Sequence, residues 1–101
     1  MPERGAESAE MRRLRRRIDA IDRRIVGLLA ERTRLGLRVG AIKTAEGRRS
    51  ARDPEREREV LLRVAAANEG PLPQADLLAI YRRVVSATRR LEAEARRRER
   101  P

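Results

Sequence analysis

At 101 residues the chain has the length of one domain, small enough that an isolated core is marginal. Apolar residues make up 40% and aromatics 1%, Tyr81 being the single one, while cysteine and histidine are both absent; disulfides, thiolate chemistry, sulfur-ligated metals and an imidazole base are thereby excluded. The net charge of +10, from 26 basic and 16 acidic residues, raises a nucleic-acid role, but acids are interspersed throughout and no aromatic or glycine-rich readout element accompanies the bases.

Residues 1–10 read as a disordered polar tail without the apolar stretch of a signal peptide. No run approaches the ~20 apolar residues of a membrane span. The expectation is a cytoplasmic protein with no membrane association. The first helix is predicted from about Ala9 to Lys43 or Glu46, ending near Gly47. Its apolar seam, spaced alternately by four and three, reads Leu14, Ile18, Ile21, Ile25, Leu28, Arg32, Leu35, Val39, Ile42. A helix of ~35 residues spans roughly 50 Å, whereas a compact chain of this size has a radius of gyration near ~13 Å. Association with a second copy is the economical way to bury such a seam.

Gly47 to Arg52 form a polar loop, and Asp53-Pro54 then starts the second helix, with an Asx cap followed by proline at the first helical position. This short helix carries Val60, Leu61 and Val64 and stops around Asn68 to Pro71. Pro71 and Pro73 fence a connector. The third helix runs from about Gln74 to the mid-nineties with its own four-three seam: Leu77, Tyr81, Val84, Thr88, Leu91, Ala95. Residues 96–101 are expected to be a basic, frayed tail. The predicted fold is therefore all-α, three helices per chain (long, short, long), over a domain of residues 11–95.

Arg32 interrupts the first seam, and a desolvated guanidinium needs an anionic partner. Either packing is loose there or the partner is a ligand. Arg32 and Lys43 are eleven residues apart, about 20° around the helix and roughly 16 Å along it, so both can converge on an object between them. Arg15 lies about 100° away from Arg32 and could instead reach the equivalent pocket of a partner chain. Taken singly, the other polar positions have ordinary explanations. Arg15 sits in an arginine run, Lys43 complements the helix dipole, Thr88 can bond back to its own helix, and Glu92 can be a solvated charge. The run from Asp53 to Glu57 can be a cap with local ion pairs.

Together, several separated motifs resemble the all-helical class of chorismate mutase, in particular the short domain also found fused to prephenate dehydratase. They are Leu14-Arg15-x-x-Ile18-Asp19-x-Ile21-Asp22, Leu28-Leu29-x-Glu31-Arg32, Val39-Gly40-x-x-Lys43, Pro54-Glu55-Arg56-Glu57, and the stretch from Gly70-Pro71-Leu72 through Ile80-Tyr81-Arg82 to Leu91-Glu92. The resemblance implies an intertwined homodimeric helical bundle whose members convert chorismate to prephenate by a Claisen rearrangement. It implies catalytic roles for Arg15, Arg32, Lys43 and Glu92. Arg15 would cross the dimer, Arg32 and Lys43 would hold the two carboxylates, and Lys43 and Glu92 would face the ether oxygen. Asp53, Arg56 and Glu57 would surround the ring hydroxyl, with Glu57 its acceptor and Thr88 nearby. No cofactor or metal is implied.

The chemistry agrees with the composition. The substrate is a dianion, and the reaction needs no nucleophile, proton transfer or cofactor. Conformational restraint and donors at the ether oxygen suffice. Ionised glutamate cannot donate, so Glu92 is expected to work protonated. The loop from Lys43 to Arg56 is one residue longer than in common relatives, which leaves Asp53 either a ligand contact or only a cap. Alternatives are a family member acting on 4-amino-4-deoxychorismate or isochorismate, or a basic helical adaptor or nucleic-acid binder. Docking onto the first enzyme of the shikimate pathway is a further possible partnership.

Overall fold

The computed structural model describes residues 7–48 and 52–99. Residues 1–6 of the expected N-terminal tail, loop residues 49–51 and residues 100–101 of the basic tail lie outside the described residues. Three helices are present: α1 (Ala9–Ala45), α2 (Pro54–Ala67) and α3 (Gln74–Arg98), with no strand among the described residues. Two compact units divide between Arg32 and Thr33, so α1 contributes to both. Among the described residues, no helix is long and apolar enough to cross a membrane.

The first unit is the N-terminal stretch of α1. Ser8 caps it, its hydroxyl accepting from the Met11 amide at 3.0 Å. The seam side chains stay half exposed: Leu14 is 49%, Ile18 55%, Ile21 51%, Ile25 48% and Leu28 59% accessible.

The second unit holds the rest of α1 together with α2 and α3. Helix α1 stops because Gly47 takes a left-handed φ of 80°. Its amide donates to the Thr44 carbonyl and the Arg48 amide to the Lys43 carbonyl, both at 3.0 Å. These two bonds make a Schellman termination, which glycine permits without Cβ strain. Helix α2 starts as its sequence requires: the Asp53 carboxylate accepts from the Arg56 amide at 3.1 Å, with Pro54 at the first position.

The α2–α3 connector is held by side chains. Asn68 donates to the Leu72 carbonyl at 3.2 Å and to Gln74 Oε1 at 2.9 Å. Gln74 Nε2 in turn donates to the Ala65 carbonyl at 3.2 Å. Helix α3 continues to Arg98, beyond the mid-nineties end expected from the sequence. Arg96 gives that last turn an anchor, Nη1 donating to the Arg48 carbonyl at 2.6 Å.

Most of the α3 seam faces inward, with Leu77, Tyr81, Val84 and Ala95 half-buried and Thr88 buried, while Leu91 stays 39% exposed. The face of α1 turned to it is not the aliphatic seam. Leu35, Val39 and Ile42 remain 51%, 49% and 57% exposed, while Gly36 and Gly40 meet α3.

Candidate active site

In the second unit, Gly36, Gly40 and Lys43 lie within about 60° of one another around α1. The two glycines let side chains of α3 come close. A Cβ on Gly36 would sit 2.5 Å from Thr88 Cγ2, and one on Gly40 would sit 3.0 Å from Glu92 Cγ and 3.3 Å from its Cδ. Thr88 and Glu92 are one turn apart on α3, so they stack against the two glycines in parallel. The Thr88 hydroxyl donates to the Val84 carbonyl at 3.1 Å, the back-bonding that its place in a helix allows. Its methyl is thereby aimed at Gly36, and Glu92 is half-buried over Gly40.

Lys43 is largely sheltered, its side chain 13% accessible, and its Nζ stands 3.8 Å from Asp53 Oδ2. Asp53 therefore has two tasks: one oxygen caps α2 and the other faces the lysine. Glu57, one turn further along α2, points across to α3. Its carboxylate accepts from Arg89 Nη1, at 2.6 Å to Oε1 and 3.0 Å to Oε2. Arg56 turns elsewhere, its guanidinium 3.0 Å from Glu59 Oε1 and 54% exposed.

The second unit thus brings together Lys43 with Asp53, Thr88 and Glu92 with the glycine face of α1, and Glu57 with Arg89. Arg56 is not drawn into these contacts. In the first unit, Arg15 Nε pairs with Glu7 Oε1 at 2.8 Å and lines an open depression with Met11, Leu14, Ile18 and Asp19. Arg32, at the end of that unit, is half-buried. Two participants escape the sequence reading. The Gly36/Gly40 pair could have been found from its four-residue spacing beside the cationic face. Arg89 offered no such signal, because its partner lies 32 residues away.

Comparisons with known proteins identify the family. The family described as Chorismate mutase type II matches residues 14–93. A bifunctional chorismate mutase/prephenate dehydratase of Aquifex aeolicus is 40% identical over 87 residues, 82% of this chain and 24% of its own length. The protein of the same description from Stutzerimonas stutzeri is 34% identical over 95 residues, 90% of this chain and 26% of its own. The chain thus spans about a quarter of the length of these curated relatives. Among solved structures, chorismate mutase (form II) of Thermus thermophilus superposes with a TM-score of 0.79 at 33% identity, covering 83% of this chain and 94% of that one. Its form I gives 0.74, covering 78% and 98%. With a fold of three helices, a polar cluster on the α1–α3 contact and a family match over most of its length, the chain belongs to the chorismate mutase type II family.

Proposed function

We propose that the protein is a chorismate mutase, an isomerase converting chorismate to prephenate in aromatic amino-acid biosynthesis. The observation that carries this reading is the seating of Thr88 and Glu92 on Gly36 and Gly40, on the α1 face that also carries the sheltered Lys43. It puts a carboxyl group and a cation on one face of α1, the two groups given roles at the ether oxygen in this reading. In the rearrangement the ether C–O bond breaks as a new C–C bond forms within one molecule. No proton moves and no covalent enzyme intermediate arises. The protein's contribution is to hold the enolpyruvyl arm over the ring and to stabilise the negative charge growing on the ether oxygen.

In this reading Arg32 and Lys43 hold the two carboxylates, and Lys43 and protonated Glu92 serve the ether oxygen. Thr88 and Asp53 line the pocket, Glu57 accepts from the ring hydroxyl, and Arg56, expected there from the sequence, pairs with Glu59 instead. Arg15 comes from the partner in an intertwined homodimer. The exposed α1 seam supports the dimer: half-covered aliphatic side chains each stand to gain roughly 1 kcal/mol on full burial, and eight of them lie on one line between Leu14 and Ile42. Lys43 is not yet engaged by a tight pair, since 3.8 Å to Asp53 is beyond a short charged hydrogen bond.

The test is the loss of chorismate's ultraviolet absorbance with the purified protein, alongside Arg32→Ala and Arg97→Ala. The wild type and Arg97→Ala turn over, while Arg32→Ala falls by about 10²–10³. A folded wild type without turnover, or equal activities for the two variants, overturns the reading.

A further inference from the structure

We propose that Arg89 is a positioning residue for this reaction, holding the Glu57 carboxylate in place to receive the substrate's ring hydroxyl. The proposal rests on the mutase reading and on the role given there to Glu57.

Arg89 follows Thr88 on α3 and is rotated about 100° from it. Thr88 addresses Gly36 of α1, and Arg89 addresses Glu57 of α2. One residue step along α3 thus serves two walls of the cluster. The pair is sheltered, with side chains 33% and 23% accessible for Arg89 and Glu57. Partial desolvation makes such a charged hydrogen bond stronger than its surface counterparts. The local alternative is already occupied: Arg56, one residue before Glu57, pairs with Glu59 instead.

The geometry is particular in that one nitrogen, Nη1, reaches both carboxylate oxygens, at 2.6 and 3.0 Å. A carboxylate has about four lone-pair sites. Using one on each oxygen leaves acceptor capacity for a hydroxyl while fixing the group's rotation. Without that contact Glu57 recovers rotamer freedom, which must be lost again each time substrate binds.

A clamp joining α2 to α3 and nothing more would give the same contact, so the test must separate the two. Arg89→Met keeps the apolar stem and removes the donor. Arg89→Lys supplies a single nitrogen, which is all the observed geometry uses. Arg89→Met is expected to lower kcat/KM for chorismate by about tenfold, mainly through KM, because the hydroxyl is bound in ground and transition states alike. Arg89→Lys recovers most of that loss. In a Glu57→Gln background Arg89→Met costs nothing more.

An unchanged kcat/KM, an equal loss with and without Glu57, or a lower Tm with kcat and KM intact overturns the proposal. Should Arg89→Met not fold, Arg89→Gln carries the same comparisons. Crystal structures of the variants decide the contact independently of turnover. The Glu57 carboxylate is expected to leave its place in Arg89→Met and return in Arg89→Lys, and a carboxylate that stays put overturns the proposal. A wild type without turnover would refute the mutase reading and leave this arm to judge Arg89.

Discussion

The two stretches of α1 divide burial in the opposite way from an ordinary small domain. From Leu14 to Leu28 the seam is aliphatic and about half exposed, and among the described residues no large hydrophobic side chain is fully buried anywhere. From Gly36 to Lys43 the same helix carries its closest contacts. The buried positions are Gly40, which faces Glu92, and on α3 Thr88, which faces Gly36, at 8% exposure. Water is excluded first from small and polar groups, while the oil stays outside. The single chain thus assembles a polar cluster, and in the proposed homodimer the aliphatic seam would be covered by the second copy. Arg32, half-buried, ends the first stretch, and beyond it Leu35, Val39 and Ile42 continue the exposed seam while Gly36 and Gly40 make the contacts to α3.

That contrast can be broken at several points. The largest effect is expected from Ile25→Asp, which places a charge in the exposed seam and far from Thr88 in sequence. Sedimentation should show a dimer becoming monomer, with turnover lost if, as proposed, each pocket takes Arg15 from the partner. A dimeric and active Ile25→Asp would mean that the seam is mere surface.

Next comes the pH profile. If Glu92 donates to the ether oxygen only when protonated, kcat/KM falls about tenfold per pH unit above the pKa of that carboxyl. Glu92→Gln, which donates at any pH, should flatten the profile. A flat wild-type profile counts against a protonated Glu92.

Glycine substitutions compare the two stretches directly. Gly36→Ala drives a Cβ against the Thr88 methyl and should cost about 1–3 kcal/mol in denaturant unfolding. Thr88→Ser removes that methyl, keeps the hydroxyl that donates to Val84, and should restore much of the loss. Gly27→Ala meets nothing within 4 Å and should stabilise the helix by about 0.5–1 kcal/mol without altering turnover. Equal costs at Gly36 and Gly27 would erase the distinction between the stretches. The smallest effect is that of Asp53→Ala, about 1 kcal/mol for the lost cap, with a Tm lower by several degrees. A much larger loss in kcat/KM than in stability would assign Asp53 to the ligand as well as to the helix.

Much of the architecture was legible because its signals are local. Proline after an Asx cap fixes where α2 starts, and a glycine able to take positive φ fixes where α1 stops. The four-three seams give α1 and α3 their type and length. Only the end of α3 ran further than the sequence suggested, since the contact holding Arg96 to the Arg48 carbonyl spans 48 residues.

The site was legible in part. Lys43, Thr88 and Glu92 are tied to the right faces by helical periodicity, and the paired glycines opposite them have a visible spacing. Periodicity within one helix says nothing about which residue of another stands opposite. Glu57 could be read as an ordinary member of a capping run until the register of α2 against α3 set it against Arg89. Arg56, its neighbour, resembled Glu57 in promise and took a local partner instead.

The open seam has a thermodynamic corollary. If the aliphatic core exists only between two chains, folding and association are one equilibrium, and the protein's stability is a function of its amount. Each tenfold dilution then removes about 1.4 kcal/mol from the assembled state. A stock that melts cooperatively at high concentration would soften when diluted for assay, and a bound dianion in each pocket would oppose that softening by mass action. In such a molecule abundance itself is a structural variable, set by the cell and read out by the helix.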